Sequence, residues 1–207
     1  MSTRKERAAR LLEIAGGTYA SEAGIKLVDK PAPLYRLLVL STLLSTRISA
    51  GIAVTAAAEL RRSGLGTPQR MLAASWQERV DALGRAHYRR YDESTSTALG
   101  EGAQLLMDSY GGDLRRLRKN GDVHRHLQKF PRVGPVGADI FCREAQAVWP
   151  ELRPWFDKKS QDGAKVADLP TDPDELAKLV PENQLAELAA ALVRITLDKA
   201  LREKARE

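Results

Sequence analysis

A chain whose only cysteine is Cys142 cannot close an intramolecular disulfide, and a reducing cytoplasm is the compartment that fits it. No apolar run reaches the roughly 18 residues that a membrane span requires. The opening segment, residues 1–17, is charged and helical in pattern and lacks the continuous apolar stretch of a secretory signal. Strand signals are missing too: there is no Asn-Gly turn and no alternating run of Val, Ile or Tyr. Neither an internal repeat nor a low-complexity linker interrupts the sequence. What is present is an ordinary globular balance, 43% hydrophobic and 29% charged, over 207 residues. That length builds one large domain or two small lobes, each with its own core.

The formal net charge is +6, and its distribution says more than its size. Between Gly111 and Arg132 lie seven basic residues (Arg115, Arg116, Arg118, Lys119, Arg125, Lys129, Arg132) against Asp113 and Asp122, a local +5 over 22 residues. Such a run is either a solvated helix face or the footprint of a polyanionic partner.

Helical periodicity runs through the chain. Leu34, Leu37, Leu38, Leu40, Leu43 and Leu44 recur at near-helical spacing within 33–46, and the alanines of 51–62 continue in a second helix. Thr67-Pro68 reads as N-cap and first helical residue. Ser75 with Glu78 is a capping box opening a helix through Leu83. A helix over 92–109 stops at Gly111-Gly112. Further helices are expected over 113–119, 122–129, 135–148, 157–167, 173–179 and 182–204. The fold class is therefore all-α, with ten to twelve short helices.

One segment carries chemistry. A short helix ends near Lys129, Phe130-Pro131-Arg132-Val133-Gly134 turns, and a second helix opens at Pro135. Glycine at the mouth of a helix lets backbone N–H groups approach a phosphate, where the helix N-terminus adds favourable partial charge. Such a hairpin grips a strand without reading its bases.

These residues resemble the helix-hairpin-helix (HhH-GPD) DNA glycosylase superfamily, in particular its endonuclease III-like members, which carry Leu-Pro-Gly-Val-Gly at this place. Val133-Gly134-Pro135-Val136-Gly137-Ala138-Asp139 is also similar to the corresponding stretch of 8-oxoguanine glycosylases. Leu43-Leu44-Ser45-Thr46-Arg47 resembles the family's Leu-Leu-Ser-Ala-Gln, and Thr67-Pro68 matches the Thr-Pro that opens its next helix. The resemblance covers roughly residues 30–170. It implies a two-lobed fold: a six-helix lobe over 32–149 containing the hairpin, and a second lobe formed by 1–31 with 150–207.

The resemblance also implies roles. An aspartate downstream of the hairpin stabilises the oxocarbenium-like sugar and orients water; Asp157, 21 residues after Val136, matches it with a short insertion. The same residue reads as a plain N-cap. Asp139 and Asp162 are weaker alternatives. Bifunctional relatives place a nucleophilic lysine where this chain has Val136, so a monofunctional, water-using glycosylase is implied, without strand cleavage. Lys158 and Lys159, beside Asp157, are alternative nucleophiles in place of that lysine, but are read rather as phosphate contacts or solvated charges. Four-cysteine iron–sulfur loops of many relatives have no counterpart here, so no iron–sulfur cofactor is expected; a monovalent cation at the hairpin is compatible with the motif. His124 and His126 do not read as a zinc site.

Base chemistry requires the nucleotide to leave the stack, and Arg47 matches the position that fills the gap. Arg85–Arg90, with His87, Tyr88 and Arg89, alternates aromatic and basic residues as a strand contact would. The expected DNA-binding set is Arg47, His87, Tyr88, Arg89, Lys129, Arg132, Val133, Gly134, Val136, Gly137 and Lys158. Tyr35, Trp155 and Phe156 are candidate pocket linings. Double-stranded DNA is the expected partner of a monomeric, nucleoid-associated cytoplasmic protein, with no membrane association and no metal. The alternative is a non-catalytic helix-hairpin-helix DNA binder, favoured by Val136 and Arg132.

Overall fold

A computed structural model describes residues 3–205, apart from the side chain of Asn120. The described residues are helical and contain no strand. In chain order the helices are α1 (Arg4–Ala15), α2 (Tyr19–Glu22), α3 (Pro31–Leu44), α4 (Ala50–Arg62), α5 (Pro68–Ala73), α6 (Trp76–Arg85) and α7 (Asp92–Tyr110). They continue with α8 (Val123–Leu127), α9 (Pro135–Ala145), α10 (Lys158–Val166), α11 (Pro173–Ala177), α12 (Leu185–Leu197) and α13 (Lys199–Lys204). Short 3-10 turns occupy Leu114–Asn120, Pro150–Leu152 and Glu182–Gln184.

Local chemistry sets most of these boundaries. Thr3 and Ser75 form complete capping boxes with Glu6 and Glu78, satisfying otherwise orphaned N–H groups. Thr67 caps α5 ahead of Pro68. Gly111 ends α7 in the left-handed region, at φ +58°, where a Cβ would be disfavoured. The expected helix over 113–119 is a 3-10 turn instead, and that over 182–204 is broken. At Asp198 the carboxylate accepts from the N–H groups of Ala200 and Leu201, so the chain leaves helical geometry and restarts as α13.

The chain forms two compact units, one of Ala20–Phe141 and one of the residues up to Tyr19 together with those from Cys142. Their boundaries differ from the 31/32 and 149/150 expected. α9 begins in one unit and ends in the other: Arg143 near its end pairs with Asp157, and Gln146 just past it clasps the backbone of Trp155.

In the Ala20–Phe141 unit, α3 is the central helix. Leu34, Leu37, Leu38, Leu40 and Leu43 are all buried, and α3 packs along α4, while α7 packs with α5 and α6. Burying five such side chains contributes on the order of 10 kcal/mol of gross hydrophobic stabilisation before entropy is counted. In the other unit α12 is central, packed against α10 and α1. Its Leu185, Leu188, Leu192 and Ile195 meet Leu11, Phe156, Ala164 and Leu176. α10 lies so close that a Cβ on Gly163 would fall 2.0 Å from the Leu192 carbonyl oxygen. None of the described helices is long and apolar enough to cross a membrane.

Candidate nucleic-acid interface and carboxylate site

The hairpin is closed by its own backbone. Phe130 N–H donates to the Leu127 carbonyl and Val133 N–H to the Phe130 carbonyl, each at 3.0 Å. Phe130 and Val133 are buried, and Phe130 stacks on Tyr110 with centroids 6.1 Å apart. The turn is thus anchored by two buried side chains, and that of Val133 is not presented to solvent.

Arg132, at the place where the hairpin motif it resembles has glycine, adopts a glycine-like φ of +60°. The left-handed turn survives the substitution at a cost of about 1–2 kcal/mol. Its guanidinium donates to Ser94 Oγ and lies 5.7 Å from the Tyr91 ring centroid, with Arg90 on the same ring at 5.2 Å.

The two hairpin-helix glycines serve different ends. A Cβ on Gly137 would meet Val133 Cγ1 at 3.3 Å and Ser45 Cβ at 3.5 Å, so this glycine lets α9 approach the turn after α3. A Cβ on Gly134 would meet nothing within 4 Å, and its φ is not positive. Nothing among the described residues requires glycine there. Gly134, Pro135 and Val136 are exposed, Val136 to 62%, and first-turn N–H groups of α9 have no partner within the helix.

Contacts link the hairpin to the other expected DNA-facing segments of this unit. Gly137 adjoins Ser45; the next residue, Thr46, bonds the Tyr88 hydroxyl at 2.8 Å; Arg132 reaches Ser94 and Tyr91. Arg47, His87, Arg89, Lys129 and Arg132 are all exposed on these connected segments. Tyr88 is a correction. It is fully buried, its hydroxyl held by Thr46 and Thr95, so it braces the loop from inside and presents no face for stacking. The turn stays open to solvent through its neighbour His87, at φ +59°. Asp139 reaches His124 Nε2 at 3.0 Å, tying α9 back to α8 across the turn. Sequence reasoning missed Tyr91 and Ser94, whose only signal was their position at the start of a helix.

Asp157 lies in the other unit and caps α10. Its Oδ1 accepts from Ser160 N–H at 3.2 Å, from Ser160 Oγ and, at 3.3 Å, from Arg143 Nε. Its Oδ2 accepts from Arg143 Nη2 at 2.8 Å. Both partners are sequestered, with side-chain exposures of 4% for Arg143 and 5% for Asp157. Burial pushes this carboxyl up, but the Arg143 charge and the hydrogen bonds from Arg143 and Ser160 outweigh it and hold the group below its ordinary range. Asp157 is therefore an anion at neutral pH.

The neighbouring candidates fare differently. Lys158 is exposed and bonded to Asp162 at 2.7 Å along α10, so both serve a helix-surface pair. Phe156 belongs to the apolar core of its unit, and Tyr35 is buried within the other. Tyr35 borders a small pocket with Phe130, Pro131 and Val133, whereas Phe156 is core. Arg143, sequestered on α9, was not singled out from the sequence at all.

Neither a protein-family model nor a curated protein sequence matches the chain. Its fold is similar to solved structures of endonuclease III. A trapped endonuclease III–DNA covalent intermediate, the estranged-adenine complex, superposes with a TM-score of 0.55 at 16% identity, over 93% of this chain and 85% of that one. A non-covalent endonuclease III–DNA complex gives 0.57 at the same identity and coverage. At that identity the likeness establishes an all-α, endonuclease III-like fold.

Proposed function

We propose that this protein is a monofunctional DNA N-glycosylase that binds duplex DNA as a monomer and excises a damaged or modified base. The observation that carries the reading is Asp157: an anionic carboxylate at the N-terminus of α10, on an endonuclease III-like fold, which the sequence resemblance matches to the catalytic aspartate once a short insertion is allowed. Similar structures hold DNA, and the exposed Gly134 backbone at the mouth of α9 suits a phosphate. Arg47, His87, Arg89, Lys129 and Arg132 supply positive charge on the connected segments. Gly137 and Val133 shape the turn.

In this reaction the C1′–N bond of the target nucleotide breaks and the base leaves with the bonding electrons. Positive charge develops on the sugar, stabilised by the Asp157 anion. Water then bonds to C1′ and loses a proton, leaving an abasic site. The trapped complex of endonuclease III is covalent. Here Val136 stands at the family's lysine position, and its isopropyl group cannot attack C1′, so strand cleavage is not part of the reaction. The reading requires no iron–sulfur cluster and places the protein with DNA in the cytoplasm.

A second reading has a specific observation behind it. A carboxylate with only 5% exposure, paired to a buried guanidinium, has part of its charge already compensated. That favours a non-catalytic DNA binder. The deciding experiment is base release from duplexes carrying a panel of lesions and mismatches, with alkali to reveal abasic sites. Release by wild type and not by Asp157→Asn, with breaks only after alkali, supports the glycosylase. Salt-sensitive binding without release from any duplex supports the binder.

A further inference from the structure

We propose that Arg143 is a positioning residue for Asp157: its guanidinium fixes the carboxylate plane so that one lone-pair direction on Oδ2 is left to orient the attacking water. This role rests on the glycosylase reading above.

The argument is one of acceptor positions. Each carboxylate oxygen offers about two, so a vacancy is counted oxygen by oxygen. Oδ1 receives three donors, Ser160 N–H, Ser160 Oγ–H and Arg143 Nε–H, whereas Oδ2 receives one, Arg143 Nη2–H. Rotation of the carboxylate would break several of these at once. The clamp is itself braced. Arg143's carbonyl accepts from Gln146 Nε2 at 3.0 Å, and the same amide group holds Trp155 through its carbonyl at 2.9 Å and its N–H at 2.9 Å, two residues before Asp157. Ser160 Oγ lies 3.3 Å from the Ala189 carbonyl on α12, but its single proton is given to Oδ1. The carboxylate is thus located from α9, from the segment before α10 and from the first turn of α10, the support a reacting group needs to hold a productive geometry.

Arg143 is not a phosphate contact, because its side chain is only 4% exposed. The other charges near Asp157 are engaged or solvated. Lys158 is bonded to Asp162, Lys159 is exposed, and α12 contributes the Ala189 carbonyl among apolar side chains. Among the described residues, Arg143 is the charged group that acts on the carboxyl. A lysine would supply charge from a single point and could not span both oxygens as the planar fork does.

The test uses the full chain with Arg143→Lys and Arg143→Gln. Single-turnover base release is measured across pH on the best duplex of the panel, beside duplex Kd and a ¹³C-carboxyl titration of Asp157. Arg143→Lys is expected to fold, to bind duplex as wild type does, and to release base about 10- to 100-fold more slowly, the scale of a misplacement near 1 Å. In Arg143→Gln the acid limb of the rate profile and the Asp157 titration move up together, since burial then acts without its counter-charge. Wild-type rates and an unmoved acid limb in both variants would overturn the role of Arg143 while leaving the glycosylase intact. Absence of release by wild type itself would fell the glycosylase reading and this role with it; the titration would then report a pair that only holds the fold.

Discussion

Asp157→Asn is the substitution that any test of this site begins with, and the structure gives it a second consequence. It removes the charge opposite a guanidinium that is 4% exposed, and a buried ion left without its counter-charge costs about 3–5 kcal/mol. Asparagine still caps α10, so loss of the cap adds little. Against a typical stability of about 5–15 kcal/mol, that is a large fraction. For a chain of this length it lowers Tm by about 6–20 °C, at 2–4 °C per kcal/mol. Arg143→Met strands the carboxylate instead and is expected to cost a similar amount. With both changes no charge is left unpaired, and the double variant should recover about 2 kcal/mol or more of the summed loss. Urea unfolding and calorimetry on the four proteins measure this coupling. Additivity within about 0.5 kcal/mol would refute the pairing as an energetic unit. The cycle also bears on function: loss of base release in Asp157→Asn counts as chemistry only below the variant's lowered melting range.

Stability should fall in acid through the same residue. The folded carboxyl titrates below the unfolded value of about 3.9, so its contribution is complete above that value and is lost as pH drops through the folded one; urea midpoints between neutral and acid pH should show the loss, and Arg143→Met should diminish or reverse it. Gly163→Ala places a Cβ 2.0 Å from the Leu192 carbonyl oxygen and is expected to cost about 3 kcal/mol by forcing α10 off α12, read as a lower urea midpoint. Arg132→Gly relieves a φ of +60° yet loses the bond to Ser94, so stability should change by no more than about 1 kcal/mol. Its duplex affinity should fall and its salt slope flatten by roughly one unit if the guanidinium also meets a phosphate. Tyr35→Phe removes a buried hydroxyl with no hydrogen-bond partner among the described residues and should be neutral or stabilising by up to about 1 kcal/mol in thermal unfolding.

The sequence by itself determined whatever is settled within about four residues. The capping box at Ser75, the Thr67-Pro68 start, the Gly111 stop and the cap at Asp157 were legible because N–H groups at helix ends are satisfied by side chains two or three positions away. The all-α class followed from the 3.6-residue recurrence of leucine and alanine, and the hairpin from Pro131, Gly134 and Pro135. Tertiary structure decided the rest. Tyr88 sits in an alternating basic and aromatic stretch that reads as a strand contact, yet the side of the loop it faces is set by Thr46, 42 residues away. Arg132 keeps a glycine conformation because the turn is anchored by Phe130 and Val133, and its side chain finds Ser94, 38 residues away. Arg143 carries no local signal: it lies on α9, 14 residues before Asp157, and only the path of the chain between them makes one helical arginine the partner of the candidate carboxylate. Hydrogen bonds at helix ends are written in adjacent residues; the environment of a buried charge is written only in what the folded chain brings around it.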